Sequence, residues 1–281
     1  MATLPNVCLN LSNRAENVAL IRETLTGVAQ AVGIDGNDLN DISTAVTEAA
    51  NNVVLHAYAG EGQGPLRVEI HLGEEAMEVA VCDEGSGIRP RLPSVHNGAS
   101  GIGVPVIQAL ARRVEFSSEQ GMGTKVRMQF ATPGARPLES LPEAELDELP
   151  AMAQAELAST AGIVIAPTSL ARAVLPRLAC ALAARAQFST DRISDAQLVV
   201  DELVAQTPGS IDGGHVAVGV RVAPHEMELR IGPLCTSRAS WRVVDRTVAG
   251  LGPMVERLTD RRDVVAVGPS EALSLQLSDQ H

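Results

Sequence analysis

A proline-rich, acidic segment separates this chain of 281 residues into two halves. Prolines 133, 137, 142 and 150 break any long helix there, and five acidic residues between positions 139 and 148 keep it polar. We interpret the segment as a linker. The chain length also suits two domains better than one. The predicted organisation is therefore a first domain at residues 1–132, a linker at 133–160 and a second domain at 161–281.

The two halves repeat one order of secondary-structure elements. In the first half, hydrophobic spacing predicts a strand at 7–11, helices at 14–32 and 37–57, a hairpin of 66–72 with 76–82, a helix near 104–112, and strands at 114–117 and 125–130. Matching residues lie 156 positions apart at Ala15 and Ala171, and 147 apart at Gln129 and Gln276. A spacing that shrinks steadily indicates a tandem duplication whose second copy has shorter loops.

Composition and charge exclude several classes of function. The chain has 22 basic and 34 acidic residues, a net charge of −12, and only five aromatic residues. An acidic surface repels nucleic-acid backbones and anionic lipids, so neither is an expected partner. No signal peptide or membrane-spanning run is visible, and the four cysteines form no CxxC pair. A soluble, cytoplasmic protein is expected.

Glu48 and Asn52 form the first of four segments that carry chemistry. They lie in the run Thr47–Tyr58 and, four residues apart on a helix, share one face. Asparagine is a weak helix former, so its place inside a helix calls for a reason. The structural alternative is a capped or surface-exposed helix end.

Asp83 is the acid of the second segment, Val79–Ile88, where it lies at the end of a hydrophobic strand and before Gly85 and Gly87. A buried carboxylate is costly unless it accepts hydrogen bonds, and the exocyclic amine of a purine would supply one. A plain Asp-Gly turn is the alternative here.

Two glycine-rich segments complete the set. Residues 97–104 contain Gly101-Ile102-Gly103 at the start of a predicted helix, where free N–H groups can bind phosphates. This loop matches neither a Walker A motif nor a dinucleotide-binding fingerprint. Gly121-x-Gly123-Thr124, taken alone, would be an ordinary hairpin turn.

Together and in this order, the four segments resemble the ATP-binding domains of the GHKL family. Within that family, Glu48-Ala49-Ala50-Asn51-Asn52 and His56-Ala57-Tyr58 are most similar to the anti-sigma-factor serine kinases. The resemblance covers residues 4–132. It implies an α+β fold of two layers, in which helices cover a mixed, mainly antiparallel sheet, and a tandem copy of this domain in the second half.

The resemblance also implies a role for each matching residue. Glu48 would be the general base, Asn52 would hold Mg²⁺, and Asp83 would accept the adenine amino group of ATP. The remaining cofactor-binding positions are Gly85 and Gly87 beside the base, Gly101, Ile102 and Gly103 over the phosphates, and Gly123 and Thr124 in the closing loop. His56 is expected to pack its helix rather than to act in catalysis.

Two departures from the family pattern leave the function open. Kinases of this type often carry Glu-Arg before the second glycine loop, where this chain has Gly98-Ala99. The second half keeps Glu202 but has Gln206 in the place of Asn52, and it lacks the adenine-binding acid. We expect this half to bind no nucleotide, and either to stabilise the first or to replace the second subunit of a dimeric kinase as an intramolecular pseudo-dimer.

Three functions remain as hypotheses. The first is a serine/threonine kinase that binds a sigma factor, its antagonist (anti-anti-sigma) protein, or both, and phosphorylates the antagonist using Mg-ATP. The second is a non-catalytic nucleotide-binding module that sequesters a regulatory protein. The third is another GHKL ATPase or a histidine kinase fragment.

Overall fold

The chain forms two compact units, Met1–Leu138 and Glu139–His281, in a computed structural model. The structure describes residues 5–58, 62–85, 103–118, 123–135, 160–211, 214–234, 242–244, 247–249, 252–267 and 270–279. Most of the predicted linker, residues 136–159, lies outside this part of the chain. The linker therefore stays a prediction.

The first unit alternates strands and helices. Its elements are β1 (Val7–Ser12), α1 (Asn17–Val32), α2 (Gly36–Asn52), a π-helical turn (Val53–Ala57), β2 (Pro65–Leu72), β3 (Ala76–Asp83), α3 (Gly103–Leu110), β4 (Arg113–Ser118) and β5 (Thr124–Ala131).

The strands of the first unit form an antiparallel sheet in the order β1-β2-β3-β5-β4. Alternate residues on one face of the sheet are fully buried, among them Leu9, Ile70, Val79 and Met128. Helix α1 contacts β1 on this side, and α2 contacts β3 and β5. This two-layer arrangement follows from the period-two pattern of the strands and the apolar faces of both helices. The expected α+β class is confirmed.

Local signals set the ends of the helices. The Asp35 side chain accepts hydrogen bonds from the N–H groups of Asn37 and Asp38 and so caps α2. Helix α1 ends at Gly33, whose φ of 81° lies in the left-handed region.

The helix predicted at 37–57 is helical over its whole length, but its last turn is π-helical rather than α-helical. After Asn52 the chain widens into the π-helical turn, which buries Val53 and Ala57 and exposes Leu55 and His56. A π-helical turn holds one more residue than an α-helical turn, so it shifts the direction of every residue after it. Periodicity does not reveal such a shift.

The second unit repeats the order of the first. Its elements are β6 (Thr160–Ile165), a 3₁₀ turn (Thr168–Leu170), α4 (Ala171–Arg185), α5 (Thr190–Ser210), β7 (Val216–Ala223), β8 (Glu226–Gly232), β9 (Arg242–Val244), β10 (Thr247–Ala249), α6 (Gly252–Leu258), β11 (Arg261–Val267) and β12 (Ser270–Ser278).

The main sheet of the second unit is antiparallel in the order β6-β7-β8-β12-β11. If β6 is counted as the first strand, this is the order seen in the first unit. The short strands β9 and β10 pair separately. Across the residues that the structure describes, no helix is long and apolar enough to cross a membrane.

Candidate functional site

Glu48, Asn52 and Gly103 lie together where α3 begins beside α2. A methyl group added at Gly103 would lie 3.2 Å from Glu48 Oε2 and 3.5 and 3.6 Å from the amide nitrogen and oxygen of Asn52. Both side chains are partly exposed. The start of a helix leaves N–H groups without intrahelical partners. An acid, an amide and the start of a helix therefore lie close together.

A hydrogen bond between α1 and α2 holds the residue next to Glu48. Arg22 Nε donates to Thr47 Oγ1 at 3.0 Å, and Thr47 is buried. The sequence reading missed this contact because the two residues are 25 positions apart.

Asp83 is the buried acid of the site. It is the last residue of β3 and is 5% exposed. Its Oδ1 accepts a hydrogen bond from Gly85 N at 2.9 Å. Its Oδ2 is buried and has no hydrogen-bond partner among the residues that the structure describes. A buried acceptor without a donor is costly, so this oxygen is chemically suited to accept a hydrogen bond from a ligand N–H.

The surroundings of Asp83 change its ionisation. Burial raises the pKa of its carboxyl above the ordinary value, while the N–H of Gly85 and the nearby N–H and hydroxyl of Thr124 act in the opposite direction, although neither Thr124 group forms a hydrogen bond with Oδ2. Thr124 lies directly opposite Asp83 on β5. A ligand that donates a hydrogen bond to Oδ2 would further favour the ionised form.

Gly85 and Gly123 allow the backbone to pass close to Asp83. A methyl group at Gly85 would overlap the Ala57 carbonyl, and one at Gly123 would overlap the Asp83 carbonyl. Gly123 also has a φ of 80°, a conformation that favours glycine. The two glycines therefore leave no space for side chains around the end of β3.

The end of α2 and the π-helical turn connect the Glu48–Asn52–Gly103 group with the residues around Asp83. Asn52 ends α2, and five residues later the Ala57 carbonyl contacts Gly85. At an α-helical rise of about 1.5 Å per residue, that separation is at most about 8 Å along the helix axis. An acceptor for an amine thus lies near a group suited to an anion, an arrangement that fits an elongated ligand with a base at one end and phosphates at the other.

The structure leaves some predicted positions undescribed. Gly87, Gly101 and Ile102, together with Gly98 and Ala99, lie outside the described residues. Glu48, Asn52 and Gly103 come together, and so do Asp83, Gly85, Gly123 and Thr124. Over the described ranges, no cluster of three or more His, Cys, Asp or Glu side chains is arranged to hold a metal ion.

Two residues near the site differ from the sequence expectations. The packing role expected for His56 is wrong, because the side chain is exposed on the π-helical turn. Tyr58, which the sequence reading quoted only as part of the resemblance, forms hydrogen bonds with Pro65 and Glu84. Tyr58 is the single tyrosine of a chain that is poor in aromatic residues, and this rarity is the one sequence feature that singles it out.

The second unit has a partial counterpart of the site. Gln206 Nε2 donates to Glu202 Oε1 at 2.7 Å, and a methyl group at Gly252 would lie 3.4 Å from the same oxygen. Strand register places Pro233 and Glu271 where the first unit has Asp83 and Thr124. The second unit therefore repeats the acid, amide and glycine but has no acid at the strand end.

Comparisons with known proteins concern the first unit. The chain matches the family model of the histidine kinase-like ATPase domain over residues 11–130. It is similar to the anti-sigma F factor of Clostridium beijerinckii, with 30% identity over 127 residues that cover 41% of this chain and 85% of that protein. It is also similar to the serine-protein kinase RsbW of Bacillus cereus, with 29% identity over 134 residues that cover 43% of this chain and 83% of that protein.

Among solved structures, the chain is similar to the RsbU and RsbW domains of a Mycobacterium tuberculosis protein. The sequence identity is 20% and the TM-score 0.34, over 48% of this chain and 35% of that one. The histidine kinase domain of a blue-light-activated kinase from Erythrobacter litoralis has 20% identity and a TM-score of 0.29, over 34% of this chain and 45% of that one.

Proposed function

Because the chain belongs to the histidine kinase-like (GHKL) ATPase family and has anti-sigma factors and RsbW serine kinases as relatives, we propose that it is a protein kinase of anti-sigma type. It binds ATP with Mg²⁺ in its first unit and transfers the γ-phosphate to a serine or threonine of a regulatory partner. The observation that carries the proposal is the buried Asp83 Oδ2, which has no hydrogen-bond partner among the described residues, in the same unit as the Glu48–Asn52–Gly103 group.

Asp83 is the proposed reader of adenine. Its Oδ2 accepts one hydrogen from the exocyclic amine, which satisfies a buried acceptor that the described residues leave without a donor. Gly85 and Gly123 support this role because they bring backbone rather than side chains to the end of β3. Gly87 and Thr124 are proposed to complete this end of the nucleotide site.

The Glu48–Asn52–Gly103 group is the proposed phosphate end. The N–H groups at the start of α3, with Gly101 and Ile102 before it, donate to phosphate oxygens. The Asn52 amide oxygen is a suitable ligand for Mg²⁺, which keeps several waters and needs few protein ligands. When bound, Mg²⁺ would neutralise charge on the transferred phosphoryl group. Glu48 accepts the proton of the attacking hydroxyl.

The proposed partners are regulatory proteins: a sigma factor, the antagonist that releases it, or both. Incubation of the full chain with γ-labelled ATP, Mg²⁺ and candidate antagonists tests this function. We expect label on a serine or threonine of one antagonist and no label with the Asn52→Ala variant. A chain that binds no ATP, or a variant as active as the wild type, would refute the kinase proposal.

A sequestering module without kinase activity is the second candidate. The observation in its favour is Ala99, which stands where related kinases carry an arginine near the phosphates. ATP-dependent binding of a partner, without transfer of label to any candidate, would support this alternative.

The second unit is proposed to be a duplicated copy that binds no nucleotide. The shared strand order supports the duplication, and Pro233 in the place of Asp83 supports the loss of binding. Gln206 donates to Glu202, so its amide is engaged within the protein.

We expect one ATP per chain for this reason. Calorimetric titration of the full chain with Mg-ATP should give a stoichiometry of one, and the Asp83→Asn variant should weaken that single binding event. Two ATP molecules per chain would show that the second unit binds as well.

A further inference from the structure

Tyr58 ties three separate parts of the first unit through one hydroxyl group. The hydroxyl donates to the Pro65 carbonyl at 2.6 Å and accepts from the Glu84 N–H at 2.8 Å. Pro65 begins β2, and Glu84 is the residue immediately after Asp83. The end of the π-helical turn, the start of β2 and the end of β3 thus meet at a single side chain.

The ring of Tyr58 packs against Gly64, whose backbone is hydrogen-bonded to Asn13. A methyl group at Gly64 would overlap the ring, so the glycine lies directly against it. Gly64 is itself held by Asn13: its N–H donates to Asn13 Oδ1 at 3.0 Å, and its carbonyl accepts from the Asn13 N–H at 2.9 Å. Because the ring packs against a hydrogen-bonded segment of backbone, the position of its hydroxyl is restricted.

Tyr58 remains a donor over the whole physiological pH range. The ring is half-buried, and burial raises the pKa of the phenol to about 12; the hydrogen bond from the Glu84 N–H lowers this pKa, and the nearby Asp83 and Glu84 carboxylates raise it. The hydroxyl therefore stays protonated at neutral pH, where it can donate to the Pro65 carbonyl and accept from the Glu84 N–H.

The bond to Glu84 fixes the turn that carries the acid. Residues 83–85 are held on one side by the Gly85 N–H on Asp83 Oδ1 and the contact of Gly85 with the Ala57 carbonyl. On the other side the Glu84 N–H donates to the Tyr58 hydroxyl. We propose that Tyr58 is a positioning residue that aims Asp83 Oδ2 at the exocyclic amine of a purine nucleotide. This inference rests on the proposed function.

The Tyr58→Phe variant tests the inference, because it keeps the ring on Gly64 and removes only the hydroxyl. Affinity should be measured for ATP and for purine riboside triphosphate, which has the same phosphates but no amine. In the wild type the absent amine should weaken binding about 5- to 100-fold, since Oδ2 stays unpaired. In Tyr58→Phe we expect this discrimination to fall about fivefold, with little change in binding of the analogue that lacks the amine.

Two further variants separate positioning from a general loss of structure. Thr26→Ala removes another hydroxyl that donates to a backbone carbonyl, that of Arg22 at 2.9 Å on the exposed side of α1, and should leave the discrimination unchanged. In an Asp83→Asn background, Tyr58→Phe should change the ratio of the two affinities by less than about twofold. The effects of two substitutions are not additive when one residue acts through the other.

Each outcome decides one question. Wild-type protein that binds no ATP refutes the proposed function and this inference with it. ATP binding with an unchanged ratio in Tyr58→Phe refutes the inference alone. An equal loss for both nucleotides, accompanied by a lower melting temperature, would mean that Tyr58 only stabilises the fold.

Discussion

Replacing Glu48 with glutamine is expected to lower phosphate transfer to the partner about 10²- to 10⁴-fold, the usual range for loss of a general base. The change keeps the size of the side chain and its place beside Asn52 and Gly103, and removes only the ability to accept a proton. The dissociation constant for ATP should therefore stay within about threefold, a difference of about 0.7 kcal/mol or less. Single-turnover transfer and equilibrium binding separate the two quantities.

The control for this experiment is Glu75→Gln. Glu75 is an exposed residue in the hairpin between β2 and β3, so the same chemical change is made away from the site. Its transfer rate should equal that of the wild type. Full activity of Glu48→Gln would rule out Glu48 as the base, whereas joint loss of ATP binding would assign it to binding instead.

The Asp83→Asn variant is expected to weaken ATP binding by about 1–3 kcal/mol, or about 5- to 150-fold. The Gly85 N–H requires an acceptor in the place of Oδ1, so the carbonyl oxygen of asparagine takes that place. Its NH₂ group then replaces Oδ2 and faces the adenine amine, donor against donor. The loss should be much smaller for purine riboside triphosphate, which has no amine.

The stability of the same variant should move in the other direction. Burial raises the native pKa of Asp83, so the wild type loses stability as pH rises from the ordinary carboxyl value through that raised pKa. Asparagine carries no charge and avoids this cost. Without nucleotide, Asp83→Asn should therefore melt at the same temperature as the wild type or higher at pH 7, which separates weak binding from misfolding.

The pH dependence of binding provides a second measurement on Asp83. An amine that donates to Oδ2 lowers the pKa of the carboxyl, so a proton is released on binding and affinity falls as pH falls through the pKa of the free protein. Calorimetry in buffers of different ionisation enthalpy reports this proton, and it should be absent in Asp83→Asn. Asp41→Asn, which alters an exposed residue of α2, should release the same proton as the wild type.

The affinity measurement decides the assignment of Asp83. Unchanged affinity for ATP in Asp83→Asn would remove this residue from the adenine site.

Local chemistry explains what could be predicted around the site. An acid at the end of a hydrophobic strand, followed by glycines, indicates a buried carboxylate, and Asp83 is buried. A spacing of four residues puts Glu48 and Asn52 on one face of a helix, and both lie beside Gly103. These predictions needed only the period of a helix and the alternation of a strand.

Contacts between segments that are far apart in the sequence could not be predicted from helix and strand periodicity. The exposure of His56 and the reach of Tyr58 depend on a π-helical turn, which leaves no trace in hydrophobic periodicity. The Tyr58 hydroxyl accepts a hydrogen bond from Glu84, which is 26 positions away in the sequence. Gly64, which packs against the Tyr58 ring, is the residue immediately before β2. Such contacts depend on where strands and turns meet in space.

The amino-acid order was therefore sufficient for the element sequence of the first half and its hairpin of β2 with β3, and for the burial of Asp83, because each rests on neighbours along the chain. Only the folded chain revealed the order β1-β2-β3-β5-β4, the Asp83 oxygen that no described residue pairs with, and the hydrogen bond of Tyr58 to the turn after Asp83. The physical reason is that strand pairing and hydrogen-bond satisfaction are set by the packing of segments far apart in sequence, to which local propensity contributes little.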